Sequence, residues 1–525
     1  MLRTPATRTN PGRQRTSVTR SQPAPVRGWN TRDGIADMEP GFAVVLDNWF
    51  PMTAEIKMRK GSAEHVTDIV DGSLAAAEVE TLATYKPQSG DQELFAWADD
   101  SLYDVTTAGA VGAAVVSSLT NARWQYTNFS TSGGQFLLAV NGADELLLYD
   151  GSTWSSIDAL STPAITNVAT TALVHVFVFK ERPWYVQLDT LTLWYPAVGA
   201  FAGALTAFSI RSVAKDGGYL VAGGSWTRDT GTGPDDFLVL VTSQGEVVVY
   251  SGINPASDFA LVGVYKTGKP IGRRCLLKYA GDLLIITTDG VIPMSRLVAR
   301  ERKEQGVAIT EIIQGSMADS VALYSANFGW ELFLYSEASM LLLNVPVDAE
   351  QQQYVMNSYT KAWCRFLEWP ANCFAECEGR LYFGMLGEVR QAWTGTTDVS
   401  AAISAETLFN FTYFGDRSNI KETTLLRAVM KFDISPGSIL VGIDADFEQR
   451  TPGSDIVAVS DSGSLWDIAE WDEGFWGGEP TVRSFWQSYT AIGYALAFHT
   501  VITSTNSTWV SISSVDIAYQ RGSTL

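Results

Sequence analysis

The chain has 525 residues, 46% of them apolar and 18% charged, which supplies more than one buried core and exceeds a single ordinary domain. Its net charge of −20 is unevenly placed: residues 1–32 hold seven arginines and no acid, leaving −27 for the remainder. A body that acidic repels phosphate and excludes sequence reading of DNA by it. Four cysteines without paired spacing exclude a disulfide framework, and no run reaches the ~18 apolar residues that span a bilayer.

Residues 1–27 are basic and carry no apolar h-region, so they are not a secretory signal. Pro5, Pro11, Gly12, Pro23 and Pro25 would break the amphipathic helix of an organelle transit peptide. The expectation is a flexible basic arm that meets an acidic protein face, with nucleic acid as the alternative. Residues 28–61 follow without a helical stripe and lead into the next region as a docking segment. Low charge with many aromatics points to a surface covered in an assembly.

From about residue 80 to residue 395, within a domain expected to span 62–400, one pattern recurs, an apolar and β-branched run, a tight polar turn, then a second such run. It reads LFAWADDSLYDV (94–105), FLLAVNGADELLLYDG (136–151), WYVQLDTLTLWYP (184–196) and FLVLVTSQGEVVVYSG (237–252). LLIITTDGVIPMS (283–295), WELFLYSEASMLLLNV (330–345) and RLYFGMLGEVRQAWTG (380–395) complete the set. Each predicts a β-hairpin. Turns at Asp100, Gly142, Asp189, Gly245, Asp289, Glu337 and Gly387 are spaced by 42, 47, 56, 44, 48 and 50 residues. The longest step holds SWTRDTGTGPDDF (225–237), which reads as a loop. A hairpin every 40–50 residues predicts an all-β chain with a β-propeller of about seven blades; a run of β-sandwiches is the competing arrangement.

From residue 401 to residue 525 the spacing is lost. LWDIAEWDEGFWGGEP (465–480) sets Trp466, Trp471 and Trp476 five apart, on neither a strand face nor a helix stripe, with Trp486 and Trp509 beyond. Trp466, Trp471, Trp476 and Trp486 are therefore candidate interface residues on a loop or irregular edge, and ordinary core is the plainer alternative. TWVSISSVDIAYQRG (508–522) alternates as a half-buried strand. The region reads as a small β-sandwich.

No chemistry stands out. VSDSGSLW (459–466) and DGSTW (150–154) are incomplete Asp boxes, a turn that catalyses nothing in any case. The acids offer many carboxylate pairs but no spacing marks one for glycosidase work. Asp444 and Asp446 lack the further ligands of a calcium loop and read as a turn or solvated edge. Cys373 and Cys377 lack a second pair for zinc, so buried free thiols are expected. His65, His175 and His499 lie far apart, and His175, within LVHVFVF, reads as a core residue. No catalytic residue, metal or cofactor is expected.

The stretch GWNTRDGIADMEPGFAVVLDNWFPMTAEIKMRKG (28–61) resembles the N-terminal segment of the structural tail proteins of short-tailed phages, their hub, nozzle or stabilisation proteins. The likeness is carried by Asn30-Thr31-Arg32-Asp33, Met38-Glu39-Pro40, Leu46-Asp47-Asn48-Trp49-Phe50-Pro51 and Arg59-Lys60-Gly61. It recurs in DGVIPMS (289–295), NSYTKAWCRFLEWPANCFAE (357–376), GRLYFG (379–384) and the Trp-rich tail. The resemblance implies a virion protein, made in the bacterial host's cytoplasm and placed below the portal and adaptor rings. It implies a ring of copies, usually six, that extends the tail tube, holds the DNA and later conducts it. The implied partners are other copies, the adaptor–portal complex, tail fibres or spikes, and DNA that slides past an acidic wall.

On that reading Trp29, Trp49 and Phe50 are anchors buried in a partner, with Arg27, Asn30, Arg32, Asp33, Arg59 and Lys60 around them. The alternative is that Trp49 and Phe50 close the first blade. A receptor- or carbohydrate-binding propeller is the rival function, and it calls for aromatic platforms in phase with the turns, which the tryptophans are not.

Overall fold

The computed structural model describes residues 17–229, 234–299, 306–347, 351–432, 437–455, 481–484, 486–504 and 509–522. The alternating apolar runs fold as antiparallel meanders because each is closed by a turn whose chemistry fits. In the second meander Asn141 Oδ1 accepts the N–H groups of Ala143 at 3.0 Å and Asp144 at 2.8 Å, and Gly142 takes φ +79°. Leu138 and Leu148 then face each other across the hairpin. In the fourth, Gly245 combines φ +82° with a backbone approach that leaves no room for a side chain, since a Cβ would lie 2.5 Å from the Thr267 carbonyl oxygen.

Among the described residues seven such meanders follow one another. They span 79–104, 125–157, 173–209, 220–266, 276–293, 331–366 and 373–392, and all but the first and fifth reach four strands. The fourth strand of the last comes from the far end of the chain: Ser62–Thr67 pairs with Glu388–Ala392, setting Val66 opposite Val389. First strands of successive meanders pack side by side in chain order, and Cys373–Cys377 packs against Val79–Tyr85. The protein is mostly β, with a β-propeller arrangement plus other sheets. Separate apolar clusters fill the spaces between neighbouring meanders, as where Trp97 and Trp124 stack at 6.0 Å between the first and second.

Two details of the repeat are corrected. Six of the seven expected turns join the second and third strands of their meanders, but the Glu337 turn joins the first and second, Glu331–Tyr335 and Met340–Val345. The insertion of α1 (Met294–Ala299) and α2 (Gln314–Tyr324) ahead of it shifted the phase. Within the stretch expected as a loop at 225–237, residues 225–229 and 234–237 instead prolong a hairpin, with Trp226 opposite Phe237 and Arg228 opposite Asp235, and residues 230–233 lie outside the described residues. Polar residues on an exposed hairpin extension look like a loop because only one face is buried.

The N-terminal part is woven into the rest through six strands: β1 (Ser17–Pro23), β2 (Gly28–Trp29), β3 (Phe42–Asp47), β4 (Trp49–Pro51), β5 (Ile56–Met58) and β6 (Ser62–Thr67). β3 joins the sixth meander to a C-terminal sheet of Ser404–Phe409, Leu496–Thr503 and Ser438–Ala445. A second sheet holds Lys421–Phe432 and Val510–Arg521 with β1 and β5. The two share a core of Leu426, Phe432, Val441, Phe498, Ile512 and Ile517.

β1 corrects the expectation of a free arm as far as residue 27. Ser17–Pro23 pairs with Ser514–Gln520, and the Gln22 amide donates to the Asn410 carbonyl at 2.9 Å. No apolar pattern marks it, because a strand added to the edge of a finished sheet is held mainly by backbone hydrogen bonds.

Trp97→Ala should lower unfolding free energy by about 3–5 kcal/mol, read from denaturant unfolding; a loss below ~1 kcal/mol would contradict the tight packing between meanders.

Candidate functional site: the buried joint and the propeller axis

The motifs that carry the phage-tail resemblance converge on the joint between propeller and C-terminal sheets. β2 pairs in parallel with the sixth meander at Gly28 and Trp363. A Cβ on Gly28, which has φ +90°, would fall 2.4 Å from the Trp363 carbonyl oxygen. Trp29 is buried, donates from Nε1 to the Val44 carbonyl at 3.1 Å, and meets Tyr354 edge-on at 5.3 Å. Asn30 closes a turn, with Oδ1 accepting the N–H groups of Arg32 and Asp33 and Nδ2 donating to Asp33 Oδ2 at 2.8 Å. Arg32 pairs with Asp33 at 2.8 Å and with Glu311 at 3.5 Å, and the Thr31 and Arg32 amides donate to Ile312, which docks the helical insert.

Asp47, Asn48, Trp49 and Phe50 form the middle of the joint. Arg365 grips Asp47 with two hydrogen bonds, 2.8 and 2.6 Å. Asn48, at φ +59°, donates to the Ser404 carbonyl at 2.7 Å and accepts from the Leu367 N–H and from Arg59 Nε. Trp49 is fully buried, and Phe50 packs edge-on against Trp393 at 5.6 Å.

Arg59 is a buried cation with every direction answered. Its guanidinium bonds Asp398 at 2.6 and 3.2 Å, the Leu367 carbonyl at 2.9 Å and the Lys60 carbonyl at 3.1 Å, and it lies over Trp369. Trp369 Nε1 and Ser62 Oγ complete the shell of Asp398. Gly61 presses on Thr397, whose carbonyl oxygen would lie 1.9 Å from a Cβ.

The structure uses Trp29, Asn30, Trp49, Phe50 and Arg59 inside their own chain, which corrects the reading of Trp29, Trp49 and Phe50 as anchors buried in a partner with Asn30 and Arg59 around them. Arg27, Arg32 and Lys60 keep exposure; Arg27 pairs with Glu39 and lies over Phe42 at 4.2 Å, and Lys60 is 6.0 Å from the Trp393 ring. Trp486 is 42% exposed, with Arg427 over its ring at 4.8 Å. Trp466, Trp471 and Trp476 lie outside the described residues.

The sequence reading missed a row of charges running across five neighbouring strands from Arg365 through Asp47, Glu406 and His499 to Asp444. Register sets Asp47 beside both Arg365 and Glu406. His499 Nε2 is 2.9 Å from Glu406 and Nδ1 is 3.0 Å from Asp444. Burial alone would push the imidazole down, but hydrogen bonds to Asp444 and Glu406 and their charge hold it up at about 9. Asp444, expected at a solvated edge, is buried. Asp446 does form a turn, accepting the Tyr494 and Ala495 N–H groups. The four cysteines are free and buried, and no group of three or more His, Cys, Asp or Glu among the described residues is placed to hold a metal.

Arg274, just ahead of the fifth meander, reaches across to the others. Nη2 donates to Thr81 Oγ1 at 2.6 Å, the Glu80 carbonyl at 3.0 Å and the Trp124 carbonyl at 3.3 Å. Nη1 lies 3.7 Å from Glu331, and the guanidinium stacks on Phe328 at 5.1 Å. One side chain thus ties the first, second, fifth and sixth meanders together across the propeller.

No family model matches the chain, and no curated protein matches it. Among solved structures it is similar to the crystal structure of BBS1N in complex with ARL6DN, soaked with mercury. The match has 9% identity and a TM-score of 0.40 over 65% of this chain and 99% of that one.

Arg59→Ala should cost about 3–5 kcal/mol by leaving Asp398 buried and unpaired, measured by thermal and denaturant unfolding; a change under ~1 kcal/mol would contradict its role in the joint. His499 binds its proton more tightly folded than unfolded, so its stabilisation is full below about pH 6.5 and lost as pH rises through about 9. Between those values stability should fall by up to ~1.4 kcal/mol per pH unit, and His499→Gln should flatten that slope; an unchanged slope in the variant would refute the assignment.

Proposed function

We propose that this chain is a structural protein of a short-tailed phage, a hub or nozzle subunit. Copies form a ring, six in number, below the portal and adaptor. The ring extends the tail tube and retains, then conducts, DNA. In this reading the propeller has seven blades, the two three-stranded meanders counting as blades, and the C-terminal sheets form a β-sandwich. The protein is made in the host cytoplasm, carries out no catalysis and needs no cofactor.

One observation carries the proposal. The motifs that resemble phage tail proteins, from Asn30-Thr31-Arg32-Asp33 to Arg59-Lys60-Gly61, are the residues that lock propeller and C-terminal sheets into one block. Such a joint suits a building block that passes load between neighbours. Arg274 bridges four meanders across the propeller, so this reading puts the DNA channel between copies, where the −27 body gives a wall that repels phosphate. The basic residues ahead of β1 are suited to an acidic face on the adaptor.

The rival reading, a receptor- or carbohydrate-binding tail module, is favoured by one feature. A cavity of about 470 Å³ is lined by Phe50, Tyr359, Trp393, Trp509, Lys57 and Lys60. Such aromatic walls with cationic rims suit a saccharide.

Native mass spectrometry of the purified full chain, alone and with the adaptor, tests the proposal. A sixfold assembly that binds the adaptor, and loses that binding but not its ring on deletion of residues 1–16, is expected. A monomer that binds no adaptor would contradict it.

A further inference from the structure

A cavity of about 480 Å³ lies where the fifth meander, the helical insert, the sixth meander and the N-terminal segment meet. Its floor is apolar: Leu284, Pro293 and Met356 are buried, and Ile309 and Ile312 are half-buried. Hydrogen bonds hold that floor in place. The Ile309 N–H donates to the Val291 carbonyl at 2.9 Å, and its own carbonyl accepts from Trp363 Nε1 at 3.1 Å. The Ile312 carbonyl takes the amides of Thr31 and Arg32. The cavity is therefore preformed, and an apolar group can enter without rearrangement.

Charge in the lining is unbalanced. Three cations, Arg32, Arg296 and Lys361, meet two acids, Asp282 and Glu311, in a chain whose net charge is −20. Both acids are engaged: Asp282 accepts the Leu283 N–H at 2.9 Å and the Ser295 hydroxyl, and Glu311 pairs with Arg32 at 3.5 Å. Arg296 gives Nη1 to the Gly306 carbonyl at 3.0 Å, and Lys361 donates to the Tyr279 hydroxyl at 2.5 Å. Among the described residues neither of these two exposed cations pairs with a carboxylate. Two cations facing one apolar cavity without a counter-charge favour an anion that carries an apolar body. We propose that this cavity binds a small amphiphilic carboxylate, with its chain on Leu284, Ile309, Ile312 and Met356 and its head toward Arg296 and Lys361. The site does not rest on the ring reading.

Isothermal titration of the full chain with octanoate, octanol and acetate, at neutral pH and fixed ionic strength, tests this. Saturable one-site binding of octanoate is expected, about tenfold tighter than that of octanol, which lacks the charge, or of acetate, which lacks the chain. Arg296→Gln and Lys361→Met should each weaken octanoate about threefold and leave octanol unchanged, and the double variant should bind the two alike. Ala308→Phe, which fills the cavity, should abolish binding of both. Arg228→Gln, the same charge change on an exposed stretch elsewhere, should bind as the wild type does. Should Ala308→Phe fail to fold, the two exposed cations still decide the matter. No saturable binding of octanoate, octanol bound as tightly as octanoate, or an equal loss in Arg228→Gln would overturn the proposal.

Discussion

The structure depends on the insertion of β3 between two sheets that would otherwise be separate. One edge of Phe42–Asp47 pairs with the outer strand of the sixth meander and the other with Ser404–Phe409, so hydrogen bonds run unbroken from propeller to C-terminal region. Burying two sheet edges in this way removes the exposed backbone that would invite pairing with another chain. It also brings Asp47 and Glu406 side by side, a repulsive contact that Arg365 on one flank and protonated His499 on the other offset.

Other features follow from that insertion. With β3 fixed, β4 and β5 turn the chain so that Arg59 enters a closed polar shell and β6 arrives beside the seventh meander. Closure of the propeller by β6 then ties residues near the start of the chain to residues more than three hundred positions later. A chain built this way cannot lose residues 28–67 without opening both the propeller and the C-terminal sheets. Arg274 acts elsewhere in the same design, linking the first and second meanders to the fifth and sixth.

The hairpins were legible because their causes are local: alternation at period two, then Asn, Asp or Gly at the turn. The phase error at Glu337 shows the limit, since α1 and α2 interrupt the period without disturbing the hairpin signal. Trp49, Phe50 and Arg59 stood out as unusual, and the sequence offered either partner docking or blade closure for the two aromatics. Their true setting rests on residues 363–398 and on Ser404, which no local pattern connects to them. His499 and Asp444 were illegible for the same reason, because isolated charges on alternating strands look solvated until register puts them in one row. β1 carried no apolar stripe at all.

The resemblance and the fold are linked by the idea that these joints serve a subunit of a tail ring. Immunogold electron microscopy of phage particles from the source host, with antibody to this chain, tests it most directly. Label confined to the waist or tip of a short tail is the result this account predicts. Particles without label on the tail, or label only on peripheral fibres, would contradict it.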